Sequence, residues 1–321
     1  MPRPQPGLYL AHKPVGVTSF SIVRAVQAAL DAEQGRKLGV VHGGTLDPFA
    51  HGLLLVLVGQ ATKLFDDLHA IPKVYEAEVV WGTETDTGDG LGVPVTREGG
   101  AARAPTLTAG EIERASRGMV GWHDQVPPPT SAKKIGGEPA YRKVHRGEHV
   151  ELPPSRVYLH ELEWLSHSLS EGPLQRSRVR LVVRGGFYVR SFARDLGRAL
   201  GCGAHLSTLH RTDIGPWRDP GAEAGEAAQF LGGPPLTGRA LLPWLPSRVL
   251  TDAEVGALRR GGDVPRGTLD TPDWRLPVGF PGPAEPVPVR GFHIGRLTML
   301  LTHDVGGAPR LRLARELLGG V

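Results

Sequence analysis

The stretch VVHGGTLDPFAHGLLLVLVGQATK, residues 40–63, decides how this chain is read. It sets a histidine, two glycines and an Asp-Pro step in one short loop, then runs directly into LLLVLVG, residues 53–59. A continuous apolar run of this length between turn residues predicts a strand buried on both faces. For an arbitrary Asp-Pro, the ordinary reading is that Asp47 caps a helical turn and Pro48 takes its first position, where the missing N–H costs nothing. The alternative is that the loop holds a carboxylate at a strand edge for chemistry. Residues outside the loop have to decide.

Working outward, GLYLAHKPVGVTSF (7–20) reads as a short strand and a turn. SFSIVRAVQAAL (19–30) reads as a helix with Phe20, Val23, Val26 and Leu30 at helical spacing behind a Ser start. KVYEAEVVWG (73–82) alternates, which puts Tyr75, Ala77, Val79 and Trp81 on one face, and TETDTGDGLG follows as a polar turn. The segment from Thr106 to His123 is expected to be helical, and DQVPPPTSAKK (124–134) to be an extended loop. RSRVRLVVRGGFYVRS (176–191) alternates again, so Tyr188 and Arg190 are expected on one strand face with Phe187 and Val189 on the other. SFARDLGRALG returns to helical spacing through Phe192, Leu196 and Leu200 and stops at Gly201.

Strands and helices mixed without a regular βαβ alternation predict an α+β fold rather than a doubly wound one. A composition shift near DPGAEAGEAAQFLGGPPLTG and LPWLPS divides a large domain, 1–246, from a small β-rich one, 247–321. There are no internal repeats.

Composition bounds the function. A single cysteine, Cys202, excludes an internal disulfide and a cysteine zinc cluster. The N-terminus lacks the apolar core of a signal peptide, and no run approaches the ~20 apolar residues of a membrane span, so a soluble cytoplasmic protein without a membrane partner is expected. The net charge of +4 is modest, but its distribution is not: residues 176–218 hold nine Arg against Asp195 and Asp213, a local net of +7. A second basic cluster, KKIGGEPAYRKVHRGEH, starts at Lys133 and includes Lys134, Arg142 and Lys143. Concentrated positive charge beside Tyr141, Phe187 and Tyr188 fits a nucleic-acid partner, and a solvated basic face explains the charge equally well.

Several motifs lead nowhere. HRGEH (145–149) matches a zinc-peptidase pattern, H-x-x-E-H, but it contains Gly147 and has no helix to put both histidines on one face. HGG at His42 has no G-x-S-x-G partner elsewhere. There is no P-loop and no G-x-G-x-x-G after a strand, so no nucleotide cofactor is expected.

The opening stretch resembles the core motif of the TruB family of tRNA pseudouridine synthases, a G-x-L-D-P-x-A-x-G-x-L segment ending in G-x-A-T-K. Four further segments are similar to family motifs, in family order: KPVGVTSF, KVYEAEVVWGTETDTGDGLG, VPPPTSAKKIGGEPAYRKVHRG and GGFYVRSFARDLGRALGCGAHLSTLHR. Two positions depart from the pattern. Thr130 stands where an aromatic is usual and His145 where an Arg is common, and both departures are expected to affect RNA docking rather than chemistry.

The resemblance implies a mixed-sheet catalytic domain over 1–246 with a PUA-like RNA-binding domain over 247–321. It implies a stand-alone, cofactor-free enzyme, expected as a monomer, that isomerises the T-arm uridine (position 55) of tRNA without a guide RNA. That reaction breaks the N-glycosidic bond, turns the base and rejoins it through C5. It needs a carboxylate held charged in a dry pocket, and an Arg facing it provides this. By resemblance Asp47 is the nucleophile, Arg190 its partner and Tyr188 the proton acceptor. Tyr75 stacks on the base, Leu209 lines the pocket and His42 fills the gap that the flipped base leaves. Lys13, Lys63 and Lys134 contact phosphates or stabilise local structure, and Arg142 and Lys143 belong to the RNA path. A non-enzymatic tRNA chaperone of the same fold and a metal-dependent hydrolase built on HRGEH are the readings from other classes.

Overall fold

A computed structural model describes residues 5–34, 38–95, 107–169, 175–221, 233–303 and 309–321. The chain opens with β1 (Gly7–Lys13), α1 (Ser19–Gln34), β2 (Val40–His42), β3 (His51–Val58) and β4 (Lys73–Trp81). There follow α2 (Ala109–Arg117), β5 (Gly121–Gln125), a small hairpin of β6 (Lys134–Ile135) and β7 (Glu138–Pro139), and α3 (Ala140–His145). Then come β8 (Ser155–Ser168), β9 (Gln175–Val183), α4 (Val189–Ala199), β10 (Ala204–Ile214) and β11 (Trp217–Arg218). The C-terminal stretch supplies β12 (Ser247–Val249), α5 (Asp252–Arg259), β13 (Asp263–Pro265), β14 (Val289–His293), β15 (Arg296–His303) and β16 (Arg310–Glu316).

Nine strands form the main sheet in the order β1-β3-β10-β4-β9-β8-β5, with β2 on β3 and β11 on β10. Neighbours are antiparallel except β3 and β10, which run parallel. The fold is α+β with a mixed sheet. β3 shows why its sequence is apolar without alternation. Leu54, Val56 and Val58 pack beneath Ile22, Val26 and Leu30 of α1, while Leu53, Leu55 and Leu57 face Trp217, Trp244, Leu297 and Leu300. With both faces covered, each of these side chains contributes about 1.5–3 kcal/mol of burial, and alternation no longer sets the register. Gly52 helps to set it: its φ is +110°, and a Cβ there would stand 2.4 Å from the Arg211 carbonyl oxygen of β10. Only glycine lets the two strands meet at that point.

Tyr75, Ala77, Val79 and Trp81 of β4 do share a face, packed with Phe192 and Leu196 of α4. A second sheet, β12-β14-β15-β16-β13, shares core residues with the first: Phe292, Leu297, Leu300, Leu317 and Val321 lie in one cluster with Leu53, Leu55 and Leu57. The seam also has polar ties, Arg315 to Asp67 at 2.6 Å and Lys63 Nζ to the Glu316 carbonyl at 2.8 Å.

Three expectations are corrected. The helix expected from Thr106 to His123 is only Ala109–Arg117, opened by a Thr108–Glu111 capping box, and β5 follows because GWHDQ pairs with β8. Thr106 itself lies outside the described residues. Phe20 does not join the apolar stripe of α1; it is 61% exposed, with the Arg24 guanidinium over its ring. FYVRS is not strand: β9 ends at Val183, a turn through Gly185 and Gly186 intervenes, and α4 starts at Val189 with Tyr188 as its N-cap. Burial of Val189, Phe192, Ala193 and Leu196 together outweighs a five-residue alternation.

Candidate active site

Asp47 lies on the turn between β2 and β3, closed by a hydrogen bond from Ala50 N to the Asp47 carbonyl at 3.1 Å. No helix follows it, since β3 begins at His51, so the capping reading fails. Two segments clamp this turn. From the KPVGVTS side, Gly16 N donates to the Pro48 carbonyl at 2.8 Å, and the Ser19 hydroxyl accepts from Leu46 N at 2.9 Å. Lys13 is fully buried and gives its ammonium to the Pro14 and Val17 carbonyls at 2.9 Å. Burial pulls its pKa down to about 8, against the pull of Asp47. From β10, buried Arg211 donates to the carbonyls of Leu53 at 2.7 Å and of Thr45 and Gly44 at 3.2 Å.

The Asp47 side chain meets Arg190, whose side chain is 4% exposed. Arg190 Nη2 donates to Oδ1 at 2.9 Å, and Nε stands 2.8 Å from Oδ2, out of line for a second hydrogen bond. Nη1 donates to the Thr130 hydroxyl at 2.7 Å and the Thr87 carbonyl at 2.8 Å, with buried Asp89 at 3.6 Å. The polar turn after β4 therefore has a task. Asp89 accepts from Thr87 Oγ1 and Leu91 N, fixing the turn that offers the Thr87 carbonyl to the arginine. Thr130, expected to matter for docking, instead touches the Asp47–Arg190 pair.

A cavity of about 270 Å³ opens beside Asp47, and Tyr75, Leu209, Phe187, Tyr188, Lys73 and Arg190 line it. Tyr75 is held by Arg211, which reaches its hydroxyl at 3.4 Å. Tyr188 is bracketed by Gln125, which accepts from its backbone N at 3.0 Å and donates to its carbonyl at 3.3 Å. Burial pushes the Tyr188 phenol up, and the neighbouring Ser131 opposes this only in part.

Other expected residues stand apart. His42 ends β2, half-buried, outside the cavity wall and with Nδ1 unpartnered; burial and then Arg211 push its pKa down. Lys13 is structural and Lys63 ties the two sheets, so neither is a free phosphate contact. Lys134 and Arg142 are exposed away from the cavity, and Lys143 pairs with Glu148 at 3.5 Å. HRGEH forms no single helix: α3 ends at His145, Gly147 has φ +76°, and His149 lies exposed against Glu151. Arg211, Thr87 and Lys73 were not singled out from sequence, and Thr130 was singled out only for RNA docking. Their signal is membership of the quoted segments: Lys73 opens KVYEAEVVWGTETDTGDGLG, Thr87 lies in its turn, and Arg211 ends GCGAHLSTLHR.

Residues 33–189 match the model described as TruB family pseudouridylate synthase (N terminal domain), and residues 190–226 match the tRNA pseudouridylate synthase B C-terminal domain. The chain belongs to the TruB family. Its curated relatives include tRNA pseudouridine synthase B of Xanthomonas campestris pv. campestris (strain B100), 39% identical over 218 residues that cover 68% of this chain and 66% of that protein. The namesake of Symbiobacterium thermophilum is 42% identical over 205 residues, 64% of this chain and 65% of that protein. That of Bordetella pertussis is 39% identical over 229 residues, 70% and 87% respectively. The chain thus spans about two thirds of the length of the Xanthomonas relative, 66%. Among solved structures, a chain of a Cbf5-Nop10-Gar1 complex superposes with a TM-score of 0.63 at 21% identity, covering 98% of this chain and 85% of that one. A chain of an H/ACA RNP bound to a substrate RNA gives 0.61 at 19%, covering 97% and 84%. At these identities the likeness concerns the fold, which this TruB-family chain shares.

Proposed function

We propose that this chain is a stand-alone tRNA pseudouridine synthase that acts, as a cytoplasmic monomer without a guide RNA, on the T-arm uridine (position 55). The observation that carries the reading is a carboxylate on a doubly clamped turn, gripped by a buried arginine at the mouth of a cavity sized for one nucleotide. In this reading Asp47 forms a transient covalent bond to the nucleotide while the N-glycosidic bond breaks. The base turns against Tyr75 and Leu209 and rejoins the sugar through C5, and the C5 proton leaves by way of Tyr188. A phenol kept neutral by burial is a poor standing base, so Tyr188 relays that proton rather than holding it. The uridine has to leave its stack to reach the cavity, and His42, on the loop that carries Asp47 though outside the cavity wall, is the residue that fills the gap left behind. The second sheet, continuous in its core with the first, serves as a PUA-like RNA-binding unit.

The test is to incubate purified protein with unmodified tRNA transcript and map pseudouridine by position. One pseudouridine in the T arm is expected, and none with Asp47→Asn, while RNA affinity stays within a few-fold because phosphate contacts supply most of the binding. Modification elsewhere, or none until a guide RNA is added, removes the substrate assignment. Turnover by the Asn variant removes the mechanism.

A further inference from the structure

Seven of the nine arginines between residues 176 and 218 stand against carboxylates. Arg211 spends its donors on backbone carbonyls. Arg184 remains: among the described residues it faces no carboxylate, and its Nε is buried without an acceptor. It lines the cavity, on the same wall as Lys73. Lys73 is 7% exposed, and among the described residues its ammonium has neither a hydrogen-bond acceptor nor a carboxylate. Burial, then Arg211 and Arg184, pull its pKa down to about 7. A buried cation is ordinarily paired, because an unpaired one loses its hydration for nothing. Here a buried amine that sheds its proton near neutral pH shares one wall with a guanidinium, and no carboxylate among the described residues pairs with either.

The same wall is open to a ligand. Gly185 lies over Lys73, and a Cβ there would stand 3.4 Å from Nζ and 2.7 Å from the His69 carbonyl. His69, Arg184 and Gly185 also border a second groove of about 350 Å³, which carries Asp66 and the Arg315-paired Asp67 on its wall and continues to Trp244 and Leu245 near the second sheet. A chain leaving the cavity in that direction crosses Arg184.

We propose that Lys73 and Arg184 form an anion subsite that takes one backbone phosphate adjoining the nucleotide seated at Asp47. This rests on the RNA-modifying reading above. A guanidinium beside an amine that an anion would recharge suits a phosphodiester better than the neutral carbonyls of a base, which would leave the guanidinium uncompensated. Asp47 and Arg190 hold the reacting centre, and this pair fixes where the backbone enters or leaves it.

The test uses a T-arm hairpin in which the phosphates flanking the target uridine are replaced, one at a time, by neutral methylphosphonates. Binding and single-turnover modification are measured for the wild type, Lys73→Met and Arg184→Gln; the second variant changes a partly exposed residue and covers the case in which the first fails to fold. One position is expected where neutralisation costs the wild type about tenfold in affinity. The variants should lose as much with the natural linkage and nothing further with the neutral one. Equal additional losses in wild type and variants at every position overturn the subsite. A wild type that neither binds nor modifies the natural hairpin counts against the RNA reading instead. The subsite is then read with inorganic phosphate: a rise in Tm for the wild type but not for Lys73→Met supports it, and equal or absent shifts overturn it.

Discussion

Arg190 offers the sharpest test of the site, because an arginine at this point could either hold Asp47 or grip a phosphate. The geometry argues for the first, since its side chain is 4% exposed and its donors meet Asp47, Thr130 and Thr87. Arg190→Lys keeps a charge but loses the fork that reaches Asp47 and Thr130 together. One charge-assisted hydrogen bond is worth about 1.5–3 kcal/mol, so turnover should fall roughly ten- to hundredfold. Arg190→Met removes the charge as well and leaves Asp47 and buried Asp89 without their shared cation. Breaking a buried pair costs about 3–5 kcal/mol, and the 28% exposure of Asp47 favours the low end of that range. Turnover should then fall beyond the Lys variant, with a lower Tm. The assay is single-turnover release of tritium from C5 of the target uridine at saturating RNA, with affinity measured separately. Normal rates at saturation combined with weak binding would make Arg190 a phosphate contact and refute the Asp47–Arg190 pairing as the catalytic device.

Two further outcomes are expected. Burial pulls the Lys73 ammonium down to about 7 from its ordinary 10.5, so between these values the unfolded chain binds a proton that the folded chain releases, and this group makes stability rise with pH between about 7 and about 10. Lys73→Met should raise stability at pH 7 and remove up to about 1.4 kcal/mol per pH unit from the slope of denaturant-derived stability in that window; an unchanged slope would mean the ammonium is not desolvated. Arg142→Ala with Lys143→Ala should reduce the slope of log affinity against log salt by about 0.7–0.9 for each lost phosphate contact, and an unchanged slope would place both side chains off the RNA path.

The sequence shows the strands whose burial is one-sided or complete, because period 2 in KVYEAEVVWG and its absence in LLLVLVG both follow from what covers the faces. It does not show that β10 runs parallel to β3 at Gly52, since that contact joins residues far apart in the chain. The same limit explains FYVRS. Five residues fit a strand or the first turn of a helix equally well, and the choice rests on Phe192 and Leu196 packing under β4. Tyr188 and Arg190 still reach one cavity from the start of α4, so Arg190 meets Asp47 although a helix rather than a strand delivers it.

Charge counted along the chain misleads for a related reason. The +7 of residues 176–218 looks like an open basic surface, yet β9 lies against β4 so that Arg176 reaches diagonally to Glu78 and Arg178 to Glu76, and Arg198 finds Glu84. These carboxylates sit on β4 and its following turn, about a hundred residues upstream, where no local window includes them. Exposed pairs of this kind add little stability, about 0–1 kcal/mol each. They do, however, cancel the long-range field that would attract RNA anywhere on that face. Inside the cavity, Lys73, Arg184 and Arg211 are the basic side chains that pair with no carboxylate among the described residues. Pairing seven of the nine arginines and sparing Arg184 and Arg211, both in the cavity wall with Asp47, concentrates a diffuse basic segment in one site. In the proposed reading, a nucleotide whose phosphate meets Lys73 and Arg184 presents its glycosidic bond to Asp47, and one entering the other way leaves that wall without a counter-charge.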